Sequence, residues 1–180
     1  FYLNKTEVKN QLLTNPYISD VKIHRKLPSI VVLDVVERKP QYYIFRGQEY
    51  IVVDDQGVAL ESVLSLEASR VDSKTLVEIT GLDTSQITIG EKISDNDKKI
   101  EQFQVFSDLI HRNKSDAVIT SIDLEYDADI QVFFREIMVK VGSLNDMENK
   151  LNKAINIITQ KNLGELKGYI DLSFDGDPVM

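Results

Sequence analysis

Two histidines, His24 and His111, are the only imidazoles in 180 residues, and cysteine is absent. Thiolate catalysis, disulfides and Cys-ligated zinc are therefore excluded. His24 alternates outward beside Val21 and Ile23. His111 falls in the last turn of an expected helix, where a positive charge is favoured. Neither is spaced with other ligands as a metal site requires. Asp54 with Asp55, Asp95 with Asp97, Asp127 with Asp129 and Asp175 with Asp177 are short acidic pairs that could offer oxygens to calcium. Each falls at an expected turn or helix start, where Asp serves the backbone. None runs on into a twelve-residue calcium loop. No G-x-S-x-G, S-x-x-K, H-E-x-x-H or Gly-rich phosphate loop is present. Asn4-Lys5-Thr6 and Asn113-Lys114-Ser115 match the glycosylation sequon, a pattern common by chance. The expectation is a protein that is not an enzyme and holds no cofactor and no metal. A cell-wall hydrolase using two converging carboxylates stays open as an alternative.

Composition narrows the class. Hydrophobic residues are 42% and charged residues 28%, as in globular chains. No apolar run approaches the roughly 18 residues that span a bilayer. The first residue is Phe1, so the chain reads as a piece of something longer, with any targeting segment upstream. Lack of cysteine fits a bacterial extracytoplasmic domain without requiring one. The net charge of -8 argues against nucleic acid. The charge is uneven. Residues 1–46 hold eight Lys/Arg and four Asp/Glu, net +4; the remainder holds 13 and 25, net -12. Two modules in different electrostatic surroundings, the basic one facing an anionic membrane, is one explanation; ordinary surface variation is the other.

Any site must be positioned by elements that the periodicity outlines. Residues 6–14 are expected as a short helix with Val8, Leu12 and Leu13 on one face, ended by Asn15-Pro16. Strands are expected at 20–26 and 30–37, the second covered on much of both faces. Short strands follow at 42–45, 50–53 and 58–60, with a hairpin turn at 54–57. Residues 61–75 read as loop, and 76–80 as a strand closed by Gly81. Ser94 is expected to cap a helix bearing Ile100, Phe103, Phe106, Leu109 and Ile110. Strands at 119–126, 130–135 and 137–141 are followed by a helix capped by Ser143, with Leu144, Met147, Leu151, Ala154, Ile155 and Ile158 on one side. Gly164 marks its stop. Residues 167–174 form the closing strand and Asp175-Gly176 a turn. The class is α+β.

Three segments carry a family likeness. Asn15-Pro16-Tyr17-Ile18, then Arg25-Lys26-Leu27-Pro28 and Val35-Val36-Glu37-Arg38-Lys39-Pro40, resemble the second half of a POTRA domain. Tyr50 to Val58, around the turn Asp54-Asp55-Gln56-Gly57, and Tyr169-Ile170-Asp171-Leu172-Ser173-Phe174-Asp175-Gly176 are similar to the β-domain of the bacterial division proteins FtsQ/DivIB. The resemblance implies a partial POTRA domain over 1–40, lacking its first strand and helix. It implies a mostly antiparallel β-domain with two long amphipathic helices over 41–180. Within the POTRA motif, Pro16 and Pro28 are expected to fix turns, and Arg25 or Arg38 to pair with Glu37 across strands.

The same resemblance implies a non-enzymatic scaffold of the divisome, outside the plasma membrane, anchored by an upstream helix. Its partners would be FtsB/DivIC-like and FtsL-like bitopic proteins and the septal peptidoglycan synthase complex. A POTRA-bearing transport or outer-membrane assembly protein is the alternative, although residues 41–180 lack the roughly ten-residue alternating strands of a membrane barrel. If the closing strand lies at a sheet edge, it invites strand addition. Tyr169, Asp171, Ser173, Phe174, Gly176, Pro178 and Val179 are the expected contacts, with Phe174 the apolar anchor. Burial of Ile170, Leu172 and Phe174 in the core is the competing expectation.

Overall fold

The computed structural model describes residues 4–69, 71–113, 115, 117–161, 163, 167–174, 176 and 178–179. Asn4 opens the first helix, α1 (Lys5–Leu13), its side chain accepting from the Glu7 N–H at 3.3 Å. The helix stops just ahead of Asn15-Pro16, as the restriction on a residue before proline requires. It packs on β1 (Ile18–Lys26), which pairs antiparallel with β2 (Ile30–Glu37) through a turn at 27–29. Register places Val21 opposite Val35 and Ile23 opposite Leu33.

Here the expectation of a doubly covered β2 fails. Val21 is buried, but Ile30, Val31, Leu33, Val35 and Val36 are 42–57% exposed. Among the described residues β2 pairs with β1 alone, and α1 packs on β1, so the apolar faces of β2 stay open. The expected pairing with Glu37 also fails. Arg38 reaches instead to Asp54 at 2.7 Å, while its main-chain N–H donates to the Tyr17 carbonyl at 2.8 Å. Asp54 is fully buried and also accepts from the N–H groups of Gln56 and Val58. Arg38 thus ties the start of the two-stranded ribbon to the hairpin turn of the larger sheet.

That sheet has eight strands: β3 (Pro40–Arg46), β4 (Glu49–Asp54), β5 (Ala59–Val63), β6 (Val77–Thr80), β7 (Ser121–Asp123), β8 (Ile130–Phe134), β9 (Ile137–Gly142) and β10 (Gly168–Asp171). Their spatial order is β10-β9-β8-β7-β6-β3-β4-β5. Four neighbouring pairs are antiparallel; β3 with β6, β6 with β7 and β9 with β10 are parallel. A parallel pair needs a crossover. Helix α2 (Asp97–Arg112) lies between β6 and β7, and α3 (Met147–Gln160) between β9 and β10. Both crossovers step the same way along the sheet between strands of the same direction. Right-handed connections therefore put both helices on one face.

One core follows. Ile79, Ile122, Val132, Val139 and Ile170 form a buried row across five neighbouring strands. They share a hydrophobic cluster with Phe103 and Phe106 of α2 and Leu151, Ala154 and Ile158 of α3. Tyr42 meets Phe103 edge to face at 4.9 Å, and burial pushes its phenol pKa up to about 12.

Several boundaries move for local reasons. Asn96, not Ser94, caps α2, accepting from the Lys98 N–H. Helix α3 starts at Met147 rather than after Ser143, because Met147 N–H closes a turn on the Leu144 carbonyl and Asp146 adopts φ 55°. The expected strand 119–126 is shortened to Ser121–Asp123; Asp123 accepts from the Glu125 N–H and bends the chain against Gly81. Residues 61–75 are not all loop: β5 runs to Val63, and 3-10 turns follow at Leu66–Ala68 and Ser73–Thr75. The stop expected at Gly164 lies outside the described residues.

Candidate partner interface at the edge strand

Sheet order makes β10 an edge, and hydrogen bonding says which of its backbone groups face outward. Leu172 N–H donates to the Lys140 carbonyl of β9 at 2.8 Å. Along a parallel strand the direction alternates, so residues 168, 170 and 172 address β9, while Tyr169 and Asp171 turn their N–H and C=O away from the sheet. Asp171 spends these groups on the terminal segment: its N–H donates to the Val179 carbonyl at 2.8 Å, and Val179 N–H donates back at 3.4 Å. The outward pair of Tyr169 has no main-chain partner among the described residues.

The strand ends sooner than expected, at Asp171 instead of residue 174. The Asp171 carboxylate accepts from both the N–H and the hydroxyl of Ser173, at 2.9 and 2.7 Å. That turn removes Ser173 from the ladder, and the same bonds, hydroxyl first, hold the Asp171 carboxyl below its ordinary pKa of 3.8. Phe174 lies beyond the end of the strand and is 46% exposed, whereas Ile170 and Leu172 are buried. Core burial thus claims two of the three apolar residues of the closing strand. Gly176 lies beside the Phe174 ring, and its carbonyl accepts from Lys153 Nζ of α3 at 3.0 Å. Pro178 is half-buried and Val179 exposed. The seven expected contact residues therefore gather at one end of the sheet, in β10 and the segment folded back along it. Asp175 and Asp177 lie outside the described residues.

Two neighbours were not foreseen. Register sets Phe133, Met138 and Tyr169 side by side on the face away from the helices. The first two are half-buried, and Tyr169 is 46% exposed. The signal for this apolar shelf was present: Val132-Phe133-Phe134 and Ile137-Met138-Val139 are apolar at both parities, so each strand has a second apolar face. At the start of β10 a groove of about 390 Å³ is lined by Ile137, Lys161, Leu163, Lys167, Tyr169 and Ile170. Edge, shelf and groove together offer unpaired main-chain groups beside apolar surface, the arrangement that strand addition uses.

Two of the acidic pairs have a member bonded within the fold. Asp54 is held by Arg38, and Asp127 accepts from Lys99 at 2.8 Å and from Gln102 at 3.1 Å. Among the described residues no group of three His, Cys, Asp or Glu side chains is placed to hold a metal. His24 Nε2 sits 3.0 Å from Asp34 on the neighbouring strand, an exposed pair. No helix among the described residues is long and apolar enough to cross a membrane.

Comparison with known proteins shows what the chain is similar to. Residues 1–38 match the model of the POTRA domain of FtsQ type, and residues 42–173 match that of the FtsQ/DivIB C-terminal region. The cell division protein DivIB of Clostridium acetobutylicum is 33% identical over 179 residues, covering 99% of this chain and 70% of that protein. DivIB of Clostridium tetani is 33% identical over 183 residues, covering 100% of this chain and 67% of its own. The FtsQ protein of Novosphingobium aromaticivorans is 32% identical over 84 residues, covering 47% of this chain and 25% of its own.

Proposed function

Because the chain belongs to the FtsQ/DivIB family of cell division proteins, we propose that it is a non-enzymatic scaffold that holds division partners by strand addition at β10. Its partners in this reading are a DivIC/FtsB-like and an FtsL-like bitopic protein, and through them it helps regulate the septal peptidoglycan synthase complex. It works at the septum, on the extracytoplasmic side of the plasma membrane. Residues 1–40 act as a partial POTRA module and 41–180 as the partner-binding β-domain.

The observation that carries this reading is the outward N–H and C=O of Tyr169, with Val179 already bonded at the next rung. An incoming extended segment takes up the Tyr169 groups and abuts the exposed Val179. Its main chain supplies the bonds. Its side chains alternate between the Phe133–Met138–Tyr169 shelf and the opposite face. Phe174, half exposed beside Gly176, supplies an apolar anchor. Asp171 and Ser173 shape the turn that presents it, and Pro178 and Val179 wall the site.

The test is titration with the soluble segment of the organism's DivIC-like protein. Phe174→Ala is expected to weaken binding by about thirty-fold, the loss of a central anchor. Removal of residues 175–180 is expected to weaken it as well. If both variants keep the parent circular dichroism spectrum and bind as tightly as the parent, the interface lies elsewhere.

A further inference from the structure

The β1–β2 ribbon has one end fixed and one end free. At the fixed end, Arg38 joins Tyr17 to Asp54, and β2 runs directly into β3. Strands of nine and eight residues carry the opposite end, the turn at 27–29, about 25 Å away. That tip is the most apolar exposed point of the ribbon. Leu27 is 90% exposed and Ile30 57%.

The tip is also cationic. Between residues 21 and 33 the chain has Lys22, Arg25 and Lys26 and no carboxylate. Lys22 lies opposite Asp34 in the register, and the Asp34 carboxylate sits 3.0 Å from His24 Nε2. Arg25 and Lys26, nearer the turn, make no ion pair with a carboxylate among the described residues, nor does Lys5, whose Nζ donates to the Ile23 carbonyl from α1. The acidic remainder of the chain, net -12, begins beyond the fixed end. An exposed leucine collared by unpaired cations, held away from an acidic body, has the chemistry of an interfacial anchor. The side chain enters the acyl boundary while the cations meet anionic headgroups.

We infer that the β1–β2 tip, through Leu27, Arg25 and Lys26, docks on an anionic lipid surface, orienting the chain with its large sheet away from the membrane. This contact is independent of strand addition at β10, and neither reading depends on the other.

The absence of tryptophan from the sequence makes the test direct. Leu27→Trp places a single reporter at the tip, and Leu64→Trp, at a position 82% exposed in the large domain, is the control. On phosphatidylglycerol-rich vesicles at millimolar lipid and low salt, emission from Leu27→Trp is expected to shift to the blue. The shift should vanish at high salt and on pure phosphatidylcholine, and Leu64→Trp should not shift. Adding Arg25→Gln and Lys26→Gln should lower the partition coefficient about twenty-fold. The inference is overturned by no shift, by an equal shift on neutral vesicles, by an equal shift for Leu64→Trp, or by a tip that ignores lipid and is shielded only by a protein segment or a second copy of the chain.

Discussion

Replacing Arg38 by methionine leaves a buried carboxylate without its cation. Asp54 has a side chain 1% exposed and keeps two other donors, the N–H groups of Gln56 and Val58 at 2.9 and 2.7 Å. Breaking a buried ion pair by removing one partner costs about 3–5 kcal/mol. The two main-chain donors and the 23% exposure of the Arg38 side chain reduce that, so we expect about 2–3 kcal/mol for Arg38→Met. In a chain of this size the loss lowers the melting temperature by about 6–10 °C. Urea unfolding of Arg38→Met, Asp54→Asn and the double variant forms a double-mutant cycle, and a coupling of at least about 1 kcal/mol is expected. Arg38 also donates its main-chain N–H to Tyr17, a bond that the substitution leaves in place. The ribbon should therefore stay folded, while protease sensitivity rises around the joint. A loss below about 0.5 kcal/mol, or strictly additive single variants, would refute the claim that this pair clamps the ribbon to the sheet.

Two further perturbations follow from local geometry. Gly81 has φ +78°, and a Cβ there would stand 2.1 Å from the Glu125 main-chain nitrogen, so Gly81→Ala should cost about 3 kcal/mol or more, measured by chemical denaturation. Asp20, Asp83, Asp127 and Asp171 lie below their ordinary pKa of 3.8, and Glu49 below 4.5, through bonds to Lys9, Ser85, Lys99, Ser173 and Ser62 respectively. Groups depressed in the folded state stabilise it above their unfolded pKa and lose that contribution as pH falls through the folded value. Stability followed by circular dichroism should thus be level above about pH 5 and fall through pH 4 and below; a flat acid limb would contradict these assignments.

Much of the fold was legible because periodicity reports burial. The alternation in 137–141 and the three- and four-residue spacing from Phe103 to Ile110 each mark a face that packs into the core, whereas the alternation in 20–26 marks a face on which Val21 is buried and Ile23 half-buried. Capping was less legible. Ser94 and Asn96 both carry capping side chains two residues apart, and only the geometry selects Asn96. The closing strand was shortened by a side chain whose effect is local: Asp171 bonds to Ser173 and turns the chain before Phe174. Parallel pairing was out of reach, because β9 and β10 neighbour each other only through the α3 crossover. The open faces of β2 show the converse limit. An all-apolar strand states what it would bury, not what covers it. At the candidate interface the residues of the edge were named from the chain. The Phe133–Met138 shelf beside it needed the register of three strands.

The central claim is that a partner's main chain pairs with the outward groups of Tyr169. Proline tests it directly, because Tyr169 N–H points away from β9 and its removal spares the β9 ladder. Binding of the DivIC-like segment by Tyr169→Pro should be compared with that by Tyr169→Ala, which removes the same side chain and keeps the donor. With both variants folded by circular dichroism, strand addition predicts that Tyr169→Pro binds at least about ten-fold more weakly than Tyr169→Ala, the worth of a main-chain bond and its unsatisfied acceptor. Equal affinity of the two variants would contradict it.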